Sequence, residues 1–94
     1  MTTLNELSAL NEDEATLNIT WGGENGNLSD PIPFGASTTD IKSWASEAVS
    51  NGNVAGIAED TNVDFGDFIV DRYRASTEKP YNSVFLRPKT PFGV

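Results

Sequence analysis

Residues 59–71 read EDTNVDFGDFIVD, and how this stretch divides decides the fold. It places Asp60, Asn62, Asp64, Asp67 and Asp71 within thirteen residues. Oxygen ligands at alternate positions are how a calcium loop is built. Started at Asp60, the calcium-loop pattern puts Asn62 and Asp64 third and fifth and Asp71 twelfth. The sixth position should be glycine but holds Phe65, and Gly66 comes one residue late. The competing division makes the first half an acidic loop and starts a strand at Asp67. On a strand, Asp67 and Asp71 share a face but stand about 13 Å apart at ~3.3 Å per residue. They cannot then close on one ion. The strand reading is preferred. Weak calcium coordination by Asp60, Asn62, Asp64 and Asp67 is the alternative.

Downstream, Asp67 to Ala75 reads as a strand, Ser76 to Asn82 as a loop containing Pro80, and Ser83 to Lys89 as a strand. The unbroken Val84-Phe85-Leu86 suits a strand covered on both faces, hence a central one. Pro88 should mark its end. Upstream, Ser37 with Asp40 three residues on can cap a helix. Ile41, Trp44, Ala45, Ala48 and Val49 then recur at helical spacing, and Asn51-Gly52 stops the run. Val54 to Ile57 is a connection of ambiguous structure.

Further back, ATLNITW at 15–21 alternates, with Leu17, Ile19 and Trp21 on one face. Gly22 to Gly26 reads as a turn in which Asn25-Gly26 favours positive φ. A second strand follows through Leu28, Ile32 and Phe34. Pro31 and Pro33 cannot donate to a ladder, so it should lie at an edge. Trp21 and Trp44 are core candidates.

The order is strand, strand, helix, strand, strand. The economical packing is an α+β domain, with one helix on one face of a four-stranded mixed sheet. An N-terminal hairpin and two later strands meet with the first and last strands parallel in the middle. The expected boundaries are an acidic N-terminal tail over 1–14, one domain over 15–90 and a short tail over 91–94. Within the tail, Thr3 and Glu6 have capping-box spacing, and Leu4, Leu7 and Leu10 recur every third residue.

This order resembles the ubiquitin-like β-grasp superfamily over about residues 15–90. Ubiquitin-like modifiers and sulfur carriers end in an exposed Gly-Gly, whereas this chain ends Thr90-Pro91-Phe92-Gly93-Val94. Plant-type ferredoxins of that fold need cysteines, and the chain has none. The resemblance therefore implies a binding or adaptor module. VDFGDF at 63–68 is also similar to the back half of dockerin calcium loops. In that register Gly56 and Ala58 stand where two ligands belong, and helices rather than a strand should flank the loop.

Without cysteine or histidine, disulfides, thiolate metal sites and imidazole general bases are excluded. A hydrolase would rest on carboxylates alone, so no enzyme activity and no cofactor are expected. The net charge is −8, and residues 1–41 carry seven acids and no Lys or Arg. Such a front half repels phosphates, so nucleic acid and anionic membrane are not expected partners. No apolar run reaches spanning length and no signal peptide stands out, so a soluble, cytoplasmic protein is expected.

The expected partner is another protein. A sheet with one helix leaves one face free. If strands three and four pair across a loop near Glu78, Val70, Arg72 and Arg74 share that face with Phe85, Arg87 and Lys89. Ile69, Tyr73, Val84 and Leu86 then face the helix. Arginine and aromatic residues are enriched at binding hot spots, and ubiquitin-like folds commonly bind through this face. Against this stands the ordinary reading, in which the arginines pair with Asp64, Asp67 or Glu78 on a solvated surface. Leu4 and Leu7 are a second candidate contact. The alternative function is a small structural or assembly subunit, such as virion decoration, and the expected state is a monomer or small homo-oligomer.

Overall fold

The computed structural model describes residues 12–89. Its elements are β1 (Glu14–Trp21), β2 (Glu24–Asn27), β3 (Ile32–Pro33), helix α1 (Thr38–Ser50), β4 (Ile69–Tyr73) and β5 (Asn82–Arg87). The protein is an α+β domain, and among the described residues one helix lies with a mixed sheet ordered β2-β1-β5-β4. β1 and β5 are parallel neighbours, while β1–β2 and β4–β5 are antiparallel. This arrangement is compatible with a β-grasp fold.

Where one strand through Leu28, Ile32 and Phe34 is expected, only Ile32–Pro33 forms a strand, and β2 lies earlier, in the stretch expected as a turn, which makes five strands among the described residues. β2 pairs Asn18 to Trp21 of β1, and β3 pairs Glu14 and Ala15 along the same edge. Leu28 N–H still donates to Leu17 O at 2.9 Å. The ladder then breaks across Ser29 to Pro31, where proline has no N–H to give. Two-residue hairpin turns need positive φ, and Gly22 and Gly23 supply it at 60° and 82°. Asn25 and Gly26, expected in the turn, lie inside β2 instead.

The helix follows its sequence signals. Ser37 caps it, its hydroxyl accepting from Asp40 N at 3.0 Å, and Asp40 sits in the positive first turn. Ile41, Ala45, Ala48 and Val49 are buried. Gly52, at φ 70°, follows the Asn51 C-cap. The core joins that stripe to Leu17 and Ile19 of β1 and Val84 and Leu86 of β5, all fully buried.

The connection over 54–68 contributes more than expected. Val54, Ile57 and Phe65 are buried core residues. Phe65 meets Trp21 edge to face at 5.3 Å and Phe68 at 4.9 Å. Without regular periodicity, such a segment leaves no pattern that marks it as core. It also presses close to β2. A side chain at Gly26 would run into Ala55 O, with Val54 Cγ1 2.9 Å away.

β4 begins at Ile69, two residues later than expected, so Asp67 lies in the preceding turn and Asp71 on the strand. Residue Glu14, placed in the tail by sequence, opens β1. The tail residues 1–11, with the leucine spacing at 4, 7 and 10, and residues 90–94 lie outside the described residues.

Candidate functional site

The free face is set by the β4–β5 register, which differs by one residue from the sequence expectation. Val70 pairs with Leu86 and Arg72 with Val84, so Val70 and Arg72 point to the helix side. Asp71 pairs with Phe85 and Ile69 with Arg87, and these share the free face with Tyr73. The cause is a choice between Asp71 and Arg72. Either register sends one charged residue under the helix. Aspartate is too short to escape from there. Arginine can lay its stem over apolar surface and carry its charge out to polar partners. Arg72 does so, donating to Phe34 O at 3.1 Å and to Thr38 Oγ1 at 3.4 Å. Val70, half-buried, packs on the core.

The expected contact set is therefore split. Phe85 and Arg87 are on the free face, Val70 and Arg72 are on the other, and Lys89 is exposed just past β5. Arg74 lies at the rim, its guanidinium 4.7 Å from the centre of the Phe34 ring. Arg87 does pair with a carboxylate, though with Asp71 across the strand pair rather than with Asp64, Asp67 or Glu78.

Ile69, Asp71 and Tyr73 join the free face in place of Val70 and Arg72. Tyr73 is 54% exposed, the largest exposure of a bulky apolar side chain among the described residues. It stacks edge to face on Phe85 at 5.6 Å, a diagonal neighbour across the strands. Lys79, from the β4–β5 loop, sets its ammonium 4.9 Å from the Phe85 ring centre and 5.7 Å from that of Tyr81. Tyr73, Phe85 and Lys79, together with Asp71, Arg74, Ser76, Glu78 and Arg87, line a groove of about 660 Å³. The loop folds back through Ser76 N–H donating to Lys79 O at 2.8 Å and Lys79 N–H to Ser76 Oγ at 3.2 Å. Asn82 anchors its base. Its carbonyl oxygen accepts from Ala75 N at 2.8 Å, and its amide nitrogen donates to Glu12 O at 2.7 Å and Glu14 O at 3.0 Å. Alternation in DFIVDRY could have marked Tyr73 as outward only if Asp71 had been weighed against Arg72.

Beyond the groove, toward β2, the same face carries a cluster of side-chain amides. Asn18 lies between Phe85 and Asn27 in one lateral row, with Thr20 and Asn25 in the next. Asn18 and Asn25 exchange amide hydrogen bonds at 2.9 and 2.7 Å, and Asn18 also donates to Asn27 Oδ1 at 2.8 Å. Asn25 further donates to Thr20 Oγ1 at 2.9 Å.

The acidic loop is tied down by its own carboxylates. Asp60 Oδ2 accepts from the Trp21 indole N–H at 2.8 Å, and Oδ1 from Asn62 N at 2.9 Å. These bonds, the indole first, hold its pKa below the ordinary 3.8. Asp60 N donates to Val49 O at 3.2 Å near the helix end. Asp64 Oδ1 accepts from Gly66 N at 2.8 Å, and Lys42 Nζ donates to Gly66 O at 2.9 Å. Asn62 and Asp67 are exposed. The calcium alternative needs Asp60, Asn62, Asp64 and Asp67 to converge, and among the described residues no three acidic side chains group so as to hold a metal ion. No described helix is long and apolar enough to cross a membrane. Comparison with family models, with curated proteins and with solved structures finds no match for this chain.

Proposed function

We propose that this domain is a non-catalytic protein-binding module that engages its partner through the free face of the sheet, centred on the β4–β5 groove. The observation that carries this reading is the exposed Tyr73 packed on the half-buried Phe85, with Lys79 beside them. Aromatic and arginine side chains are the residues that concentrate binding energy at interfaces. A stable interface takes about 800 Å² from each partner, more than a groove of this kind supplies alone. The amide array of Asn18, Asn25 and Asn27 with Thr20 supplies the remainder as a polar rim. Its mutual hydrogen bonds hold those side chains in place before contact, which lowers the ordering cost.

The test is partner capture by the intact chain carrying a photo-crosslinker at position 73, compared with one at position 67. The reading expects a crosslinked protein from position 73 only, and loss of capture with Lys79→Glu. Equal capture from both positions removes the groove as the binding surface. Mass by light scattering separates the alternative class: an obligate ring or trimer points to a structural subunit, and a monomer to the module proposed.

A further inference from the structure

We infer that the groove has an occupant within the chain itself: the N-terminal segment MTTLNELSALN, residues 1–11, docks there through Leu4, Leu7 and Leu10, and a protein partner must displace it. This rests on the groove being a protein-binding surface, and deepens that reading.

Three observations carry it. The first is where the segment enters the fold. Asn82 bonds Glu12 O with its side-chain amide nitrogen and Ala75 N with its side-chain carbonyl oxygen, so one side chain bridges residue 12 to Ala75 at the start of the β4–β5 loop. Ser76, Glu78 and Lys79 of that loop wall the groove. Arg74 is shared between the groove and a smaller cleft lined by Glu12 and Asp13. Residue 12 thus stands one side chain away from the base of the loop that walls the groove.

The second is reach. Eleven residues precede Glu12. Extended, they span about 36 Å, and as a helix about 16 Å. A four-stranded sheet is about 15 Å across at ~4.8 Å between strands. Either form covers the groove, and a tether of this length holds the segment at an effective concentration of order mM.

The third is complementarity. The segment offers three leucines and a single charge, Glu6. The groove offers the Tyr73 and Phe85 rings with Arg74 and Lys79 at its rim. Among the described residues the ion pair formed on this face is Arg87 with Asp71, and the contacts of Arg74 and Lys79 are with aromatic rings. A carboxylate arriving with leucines finds cations beside apolar surface. A more acidic segment would meet the repulsion of a chain at −8.

The chain has no cysteine, so Asn5→Cys supplies a single thiol for a nitroxide label. Paramagnetic broadening is then followed on the intact chain by NMR. The expected result is loss of signal confined to Tyr73, Phe85, Lys79 and their neighbours, restored when Leu4, Leu7 and Leu10 are changed to Ser. Those substitutions lie before the first strand and leave the domain folded, which the unchanged remainder of the spectrum verifies. Broadening spread evenly, or absent from the groove, overturns the inference. So does broadening seen only between molecules, when labelled chain without ¹⁵N is mixed with unlabelled ¹⁵N chain, because the occupant is then a second copy. No partner is needed for this experiment. If the groove stays bare yet position 73 crosslinks a partner, the binding reading stands and only the inference fails. If the segment docks but partner capture ignores Tyr73, the reverse holds.

Discussion

Phe65→Ala asks whether the stretch at 59–71 is a solvated acidic loop or part of the core. Phe65 is 3% exposed and touches both Trp21 and Phe68 edge to face. Truncating a buried phenylalanine costs about 3–5 kcal/mol through lost transfer energy and the cavity left behind. Edge-to-face pairs are worth about 0.5–1.5 kcal/mol beyond their buried area, which favours the upper part of that range. At about 0.05–0.15 kcal/mol per residue, a domain of this size holds roughly 5–14 kcal/mol in total. The variant therefore loses about a fifth of its stability or more. At about 4–8 °C per kcal/mol, its melting temperature falls by at least about 12 °C. Urea unfolding followed by tryptophan fluorescence reads this directly, since Trp21 is the contact. Asp67→Ala, exposed in the same loop, should stay within about 0.5 kcal/mol. A Phe65→Ala cost below about 1 kcal/mol, or equal costs for the two variants, would mean that the loop is not packed on Trp21.

Four further outcomes are expected. Gly26→Ala drives a methyl group into Ala55 O and costs about 1–3 kcal/mol, whereas Gly35→Ala, with open space around it, stays near wild type in the same urea assay. Asp60 has a folded pKa below its unfolded value of 3.8, so its contribution is complete above that value and disappears as pH falls through the lower folded value. Wild type should thus lose more stability than Asp60→Asn between neutral pH and acid, and parallel pH curves would remove the indole bond as the cause. Arg72→Ala should cost about 1 kcal/mol through its lost bonds to Phe34 and Thr38, and Lys89→Ala about zero, compared by thermal melts. Tyr73→Ser should keep the fold, at no more than about 1.5 kcal/mol, while removing partner capture.

The helix and the central strand were legible because their patterns are local. Ile41 to Val49 repeats at one period, and the unbroken Val84-Phe85-Leu86 marks the central position of β5, although Phe85 stands half-buried on the free face and not under a second layer. The parallel β1–β5 pairing followed from element order alone. Three features were not legible, for different reasons. The break at Ser29 to Pro31 depends on how far the edge ladder survives each proline. The burial of Val54, Ile57 and Phe65 belongs to a segment with no period. The faces of β4 depend on a register that alternation cannot fix, since IVDRY offers one charged residue to the core either way. The residues expected on the free face are accordingly divided, with Phe85 and Arg87 on it and Val70 and Arg72 exchanged for Ile69, Asp71 and Tyr73. The acidic stretch divides as expected between loop and strand, except that Asp67 falls with the loop. Asp60 holds Trp21, a role visible only once the two are adjacent in space.

The account turns on which side chains share the free face. Side-chain NOE contacts in the intact, isotopically labelled chain measure this without a partner. Cross-peaks between the Tyr73 and Phe85 rings, with Arg72 reaching Phe34 and Thr38, are the expected result. Cross-peaks placing Arg72 beside Phe85, with Tyr73 against the helix, would contradict it and dissolve the groove.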